Sequence, residues 1–495
     1  MKYLLGFDIG SSSVKAALLE AETGKPIASV FSPPTEMPIS SPQAGFAEQD
    51  PELWWNELTL ATKKLKQQTS FKSDEIIAIG ISYQMHGLVC VDKNCKPLRP
   101  SIIWCDSRAV EIGQSAFKGI GEKFCLQHFL NSPGNFTASK LKWVMESEPD
   151  IYKRIYKIML PGDYIALKLT GETATTVSGL SEGIFWNFTK KRAAKELLEY
   201  YSIDEKILSP LVPTFGDQGH LIADAAAQLG LSAGIPVSYR AGDQPNNAFS
   251  LNVLQPGEIA ATAGTSGVIY GVTDQANYDE LSRVNTFVHV SYAEADPRYG
   301  ILLCVNGTGI LNSWLRKNFF VDASYDSINL AASKISVGSD GLQFYPFGNG
   351  AERILANQNP GGHLKGLDFN RHRWEHVARA AQEGIVFALH YGAEIMQRMG
   401  VQLNTIRAGY ANMFLSDVFA STFANVTNCS VELYNTDGAL GAARAAGVGA
   451  GYYTNFSECF KGMRVVKTIE PEAGLGQQVT EAYQQWKQGL LHLIQ

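Results

Sequence analysis

The sequence predicts a two-domain α/β protein, and three observations lead there. Its 495 residues exceed what one hydrophobic core normally serves. A pattern of apolar run, small-residue turn and second apolar run occurs twice, as "LLGFDIGSSSVKAALL" at 4–19 and "EIAATAGTSGVIYGVT" at 258–273. Each copy is followed by mixed strands and helices, the order expected of a sheet covered by helices. The same device opening each half implies a duplication, with two α/β domains facing each other across a cleft. The boundary is expected near 245–257, which assigns 1–246 to the first domain and 247–495 to the second. Chance recurrence of a Gly/Ser hairpin is the competing explanation.

The elements follow from local chemistry. "YLLGFDI" and "VKAALLEA" alternate as strands around "GSSS", a hairpin turn made of small residues. "ETGKP" turns the chain again before "IASVFS". In "DPELWWNELTLATKKLKQ" the apolar residues recur at helical spacing, with Asp50 as N-cap and Pro51 in the first helical position. "EIIAIGIS" is nearly continuous apolar sequence, as befits a strand buried in the centre of a sheet. "GIPVSY" reads as a strand and "NNAFSLNV" as the start of a helix, which places Asp243 at the corner between them. Beyond the second hairpin come the long helix "WEHVARAAQEGIVFALHYGAEIMQRM", the strand "LNTIRA", a glycine corner and another helix.

Composition narrows the function. A net charge of −6 without basic blocks argues against nucleic acid and anionic membranes as partners. The seven cysteines form no C-x-x-C pair and read as reduced thiols. The start "MKYLLGFDIG" is too short for a signal sequence, and no 18-residue apolar run occurs. A cytoplasmic enzyme is expected.

Four places can carry chemistry. The turn Gly10, Ser11, Ser12, Ser13 offers backbone N–H groups and hydroxyls to phosphate oxygens, and Asp8 before it could hold Mg²⁺ or its waters. An ordinary hairpin with Asp8 as a turn residue is the alternative. Gly264, Thr265, Ser266 and Gly267 form a second such turn, and two cradles would bracket a polyphosphate. In "ISYQMHGLV", Gln84, Met85 and His86 crowd a strand end and suit a polyol; a half-buried histidine with a local partner is the plainer account. Trp104 in "IIWCDSRA" suits the apolar face of a sugar, while Asp106 and Arg108 also fit a structural ion pair.

Other matches fail on context. The G-x-x-x-x-G-K-[ST] spacing is absent, and Ser12-x-x-Lys15 lacks the partner motifs of a penicillin-binding nucleophile. His372 and His376 are four apart but have Arg373 between them, which disfavours zinc. "GVGAG" follows a helix, so it is not a dinucleotide fingerprint.

Together, "GFDIGSSSVK", "QMHG", "WCDSR", "GDQ", "AGTSG" and "DGALGAARAAG" resemble, in order and spacing, the FGGY-type carbohydrate kinases. "NFTASKLKWVMESEP", with Lys140 and Trp143, is similar to that family's N-terminal signature, and "GLDFNRHRWEHVARAAQEG" approximates its C-terminal one. The "QMHG" form is most similar to members acting on D-xylulose. The resemblance spans roughly residues 3–450. It implies two ribonuclease H-like (actin/hexokinase-like) domains flanking a cleft, and ATP-dependent phosphorylation of a sugar hydroxyl. Asp8 would position Mg²⁺ through water. Gly10, Ser11, Ser12, Ser13 and Lys15 would hold ATP with Gly264, Thr265 and Ser266. Gly409 and Asn412 would lie on the adenine side, near "DGALGAAR" of the C-terminal domain. Met85, His86, Trp104, Asp243 and Gln244 would line the sugar site, with Asp243 as general base toward O5 of D-xylulose. A homodimer is left open.

Two departures bear on this. The adenine-side turn is Arg407-Ala408-Gly409-Tyr410-Ala411-Asn412, where relatives carry three glycines, and "GNGAERIL" at 348–355 replaces a more usual Gly-Glu-Arg-Thr-Pro. "GDQ" occurs in polyol kinases too, so another ketose, polyol or sugar acid (ribulose, glycerol, gluconate, sedoheptulose) is the alternative acceptor. A non-catalytic sugar sensor or a phosphohydrolase on the same fold is disfavoured by Asp243, the two turns and the "QMHG" cluster.

Overall fold

The computed structural model describes residues 1–351 and 353–495; Glu352, in the 348–355 segment, lies outside the described residues. The chain forms two units. Met1–Asn252, Phe287–Pro297 and Thr436–Met463 make the first, and Val253–Thr286, Arg298–Asn435 and Arg464–Gln495 the second. The first passage between them falls at 252/253, and two later segments return to the first unit, which a single cut at 246 does not describe.

In the first unit, five strands lie in the order Val237–Gly242, Ile76–Tyr83, Tyr3–Ile9, Val14–Glu20, Pro26–Ser32. The first three are mutually parallel, and the hairpin strands are antiparallel. Ile76–Tyr83, the near-continuous apolar run, is central and has parallel partners on both sides. The helix Pro51–Gln68 covers one face with Trp54, Leu58, Ala61 and Leu65 buried at helical spacing. Its start is as the sequence suggests: the Asp50 carboxylate accepts from the Glu52 N–H at 2.9 Å, with Pro51 following.

The helix Gly438–Gly449 packs on strands Tyr3–Ile9 and Ile76–Tyr83 of this unit. Its approach is backbone to backbone. A Cβ on Gly6 would stand 1.9 Å from the Ala439 carbonyl oxygen, and one on Gly80 2.0 Å from that of Ala442. The small-residue run "GALGAARAAGVG" therefore serves close packing on a sheet, and it does so in the first unit.

The second unit repeats the plan. Its strands Tyr299–Val305, Gly267–Thr273, Glu258–Ala263, Thr405–Gly409 and Ser430–Tyr434 are neighbours in that order, and Asn285–Val288 and Val465–Ile469 complete the seven-stranded sheet at its two ends. With those two end strands set aside, both sheets numbered by appearance read third, second, first, fourth, fifth, with antiparallel hairpins and parallel later strands. The likeness of the two hairpins thus extends to whole sheets. The long helix Trp374–Arg398 is mostly buried. At its start His372 and His376 accept, through Nδ1, the backbone N–H groups of Asp368 and Arg373, which is a capping role.

No helix among the described residues is long and apolar enough to cross a membrane. None of the seven cysteines forms a disulfide among the described residues. Burial pushes the thiols of Cys90, Cys125 and Cys459 up to about 12, whereas Cys105 is exposed. An aromatic disulfide reagent is expected to label Cys105 first and those three only after denaturation. Rapid labelling of any of the three in native protein would show that their environments open readily.

Candidate active site

The strand Ile76–Tyr83 ends in the turn Gln84–Gly87, and a side-chain framework holds that turn. The Gln84 N–H donates to the Ile9 carbonyl at 2.8 Å, which ties it to the first strand. His86 has left-handed backbone, φ 61°. Its N–H donates to Glu182 Oε1 at 3.2 Å, and its Nδ1 lies 3.0 Å from the Glu182 carbonyl. Its own carbonyl accepts from Lys140 Nζ at 2.9 Å. The imidazole sits against Phe136 and Phe287, with ring centroids 4.8 and 5.4 Å away. Lys140 also donates to the Ile103 carbonyl at 2.9 Å, so one buried ammonium anchors both the His86 turn and the residue preceding Trp104. Burial pushes that lysine down to about 8.

The strand Val237–Gly242 runs beside Ile76–Tyr83, and Asp243 is the first residue of the helix Asp243–Ser250. Pro245 is tolerated there because a first-turn N–H has no intrahelical acceptor. Asp243 is half-buried. Burial first, and then the charge of Asp8, pushes it up to about 7, against hydrogen bonds from Gln244. Gln244 Oε1 is buried without a hydrogen-bond partner among the described residues, so it has capacity for an outside donor. A Cβ on Gly242 would lie 2.5 Å from Met85 Cγ and 2.5 Å from Glu182 Oε2. The segment bearing Met85 and His86 and the one bearing Asp243 and Gln244 are therefore neighbours. Trp104 is 41% exposed, and its indole N–H donates to Ser11 Oγ at 3.3 Å.

Asp8 lies at the end of the first strand, paired across the hairpin with Lys15, whose charge opposes the upward push of burial. Ser82 Oγ donates to Asp8 Oδ1 at 2.8 Å. Asp437, the N-cap of the helix Gly438–Gly449, is close enough for its charge to act on Asp8. A Cβ on Gly438 would stand 2.5 Å from Asp8 Oδ2, so only glycine leaves that carboxylate its place. In the adjoining turn the Ser11 and Ser12 carbonyls accept from Gln49 Nε2 (2.7 Å) and the Met37 N–H (2.8 Å), which fixes its shape.

The second unit builds its own turn in the same manner. The Gly264 and Thr265 carbonyls accept from the N–H groups of Gly309 and Ile310, at 2.8 and 3.2 Å. Asn412, left-handed at φ 54°, brings its side-chain nitrogen to 3.7 Å from where a Gly264 Cβ would be. Gly409 ends the strand Thr405–Gly409 just before it. Gly264, Thr265, Ser266, Gly409 and Asn412 thus belong to one neighbourhood. Arg407 is used structurally, bonded to Glu258 at 3.1 Å and Glu432 at 3.0 Å.

Sequence reasoning passed over Glu182 and gave Asp437 no role. Asp437 had a signal, an aspartate before an alanine-rich helix in the N-cap position. Glu182 had none, because nothing in "VSGLSE" marks a buried carboxylate. Asp106 and Arg108 resolve as the structural pair: Arg108 Nη2 lies 2.7 Å from Asp106 Oδ2, both side chains being fully buried.

Twin sheets of one order, a tied-back Gly/Ser turn in each, and a raised carboxylate beside a polyol-suited cluster define a sugar kinase of the actin/hexokinase-like fold. The chain belongs to the FGGY family of carbohydrate kinases: the family's N-terminal domain matches residues 3–250 and its C-terminal domain residues 259–450. A xylulose kinase of Bacillus subtilis (strain 168) is 29% identical over 468 residues, 93% of this chain and 90% of that one. The crystal structure of a xyloylose kinase from Brucella ovis is 27% identical, covers 100% of both chains and has a TM-score of 0.87. A gluconate kinase from Lactobacillus acidophilus shares the fold with a TM-score of 0.90 at 23% identity, covering 100% of this chain and 98% of that one.

Proposed function

We propose that this carbohydrate kinase transfers the γ-phosphoryl group of ATP to O5 of D-xylulose. In that step the bond from O5 to phosphorus forms as the bond to ADP breaks, and the hydroxyl proton passes to the Asp243 carboxylate. The single observation that carries the assignment is the state of Asp243. It is a carboxylate poised at about 7, with no cation paired to it among the described residues, next to Gln244 with its unfilled acceptor. A base of that strength suits proton removal at neutral pH. Gln244 Oε1 would take a neighbouring sugar hydroxyl, with Met85 against the carbon face and His86 and Trp104 completing the wall.

The turns at Gly10–Ser13 and Gly264–Ser266 would hold ATP phosphates. Asp8 and Asp437 suit Mg²⁺, which favours hard oxygen donors and needs only one or two carboxylates beside phosphate. Gly438 gives Asp8 the room that such a donor set requires. Bound there, the ion would neutralise phosphate charge. Lys15 would add positive charge on the same side.

The choice of D-xylulose follows the "QMHG" turn and the named relatives. It is tested by ADP release across pentuloses, hexuloses, polyols and gluconate. D-xylulose is expected to give the highest kcat/KM. A clearly higher value for any other acceptor would replace it.

A further inference from the structure

We propose that Glu182 is a positioning residue of the acceptor site, which sets the His86 turn and the Asp243 corner in register with one another. The inference rests on the acceptor site proposed above, but not on which sugar fills it.

Glu182 ends the short helix Val177–Glu182, far in sequence from both segments it meets, and is 1% exposed. Its Oε1 takes the N–H of His86, the one residue of the turn with left-handed backbone. That conformation is costly for a residue with a Cβ and persists only where surrounding contacts hold it. Oε2 of the same carboxyl occupies the space a side chain at 242 would need, next to Met85 and one residue before Asp243. A single carboxyl thus touches both segments that line the site. It explains why position 242 is glycine: the space is filled from behind by Glu182 and Met85.

The remaining polar atom makes a stability role a poor account. Glu182 Oε2 is buried and has no hydrogen-bond partner among the described residues. An orphaned buried oxygen of this kind costs free energy and offsets part of what the His86 contact contributes to folding. Burial, with Asp243 and Asp163 nearby, pushes the carboxyl well above its ordinary range, in the direction that favours the uncharged form. An uncharged carboxyl and a glutamine amide are nearly the same shape, and both can accept from the His86 N–H.

The test uses the full-length enzyme with its best acceptor from the panel above. Glu182→Ala is expected to raise KM for the acceptor about tenfold, the scale of a lost hydrogen bond that leaves a buried N–H unpaired. KM for ATP should stay within about twofold, although loss of the bond to the His86 N–H is expected to lower the midpoint of urea unfolding. Glu182→Gln should restore the acceptor KM to near the native value. Three results would overturn the proposal: an unchanged acceptor KM in Glu182→Ala, equal rises for acceptor and ATP, or a glutamine variant as impaired as alanine. Should the best acceptor be something other than D-xylulose, the substrate assignment fails while this comparison still decides the role of Glu182.

Discussion

Replacing Asp243 with alanine or asparagine is expected to lower kcat by about 10²–10⁴-fold in protein that still folds. The residue is the half-buried first position of a helix and is not part of the apolar core, so the loss should be chemical. Asparagine keeps the shape but cannot take a proton. The sign of the pH dependence follows from the raised value. Protonated Asp243 cannot act as a base, so kcat/KM for the sugar should decline as pH falls below about 7, and this limb should vanish in both variants. A fall of less than about tenfold would mean that some other group accepts the proton.

The largest effect on stability is expected at Asp106. Removing one partner of a buried ion pair typically costs about 3–5 kcal/mol, because the other charge is left without compensation. Arg108 would be that charge. It lies 3.8 Å over the Phe46 ring and 4.6 Å over Trp143, its side chain fully buried, with Glu48 at 2.7 Å as the remaining carboxylate partner among the described residues. Glu48 is already shared with Arg99. The Ala47 N–H, which donates to Asp106 at 2.6 Å, would be orphaned as well. Asp106→Ala should therefore shift the urea unfolding midpoint strongly, and replacing Asp106 and Arg108 together with apolar residues should recover much of the loss. A shift worth less than about 1 kcal/mol would show that the arginine finds water or a new partner.

Much of the fold was legible because its signals are local. The two Gly/Ser hairpins, the apolar run at 76–83 and the Asp50–Pro51 helix start each depend on residues within a few positions of one another, and all four are present. The segments that form the candidate site could be picked out for the same reason: Met85 with His86, and Asp243 with Gln244, are neighbours in the chain. Other features depend on residues brought together only by folding. The helix Gly438–Gly449 is uniformly small in sequence, and its choice of the first unit rests on the matching gaps at Gly6 and Gly80, more than 350 positions away. Asp437 reaches Asp8 through that same packing. Asp106 and Arg108 admitted two accounts until burial decided between them.

The sequence by itself therefore determined which segments turn, which strands are buried and which side chains suit phosphate and polyol. Tertiary structure alone decided which carboxylates meet, that Asp243 is raised while Asp106 is paired, and that Glu182 stands behind both. The physical reason is range. Propensity and periodicity act over a few residues, whereas burial and charge act through space, on whatever the closed chain happens to bring within a few ångströms.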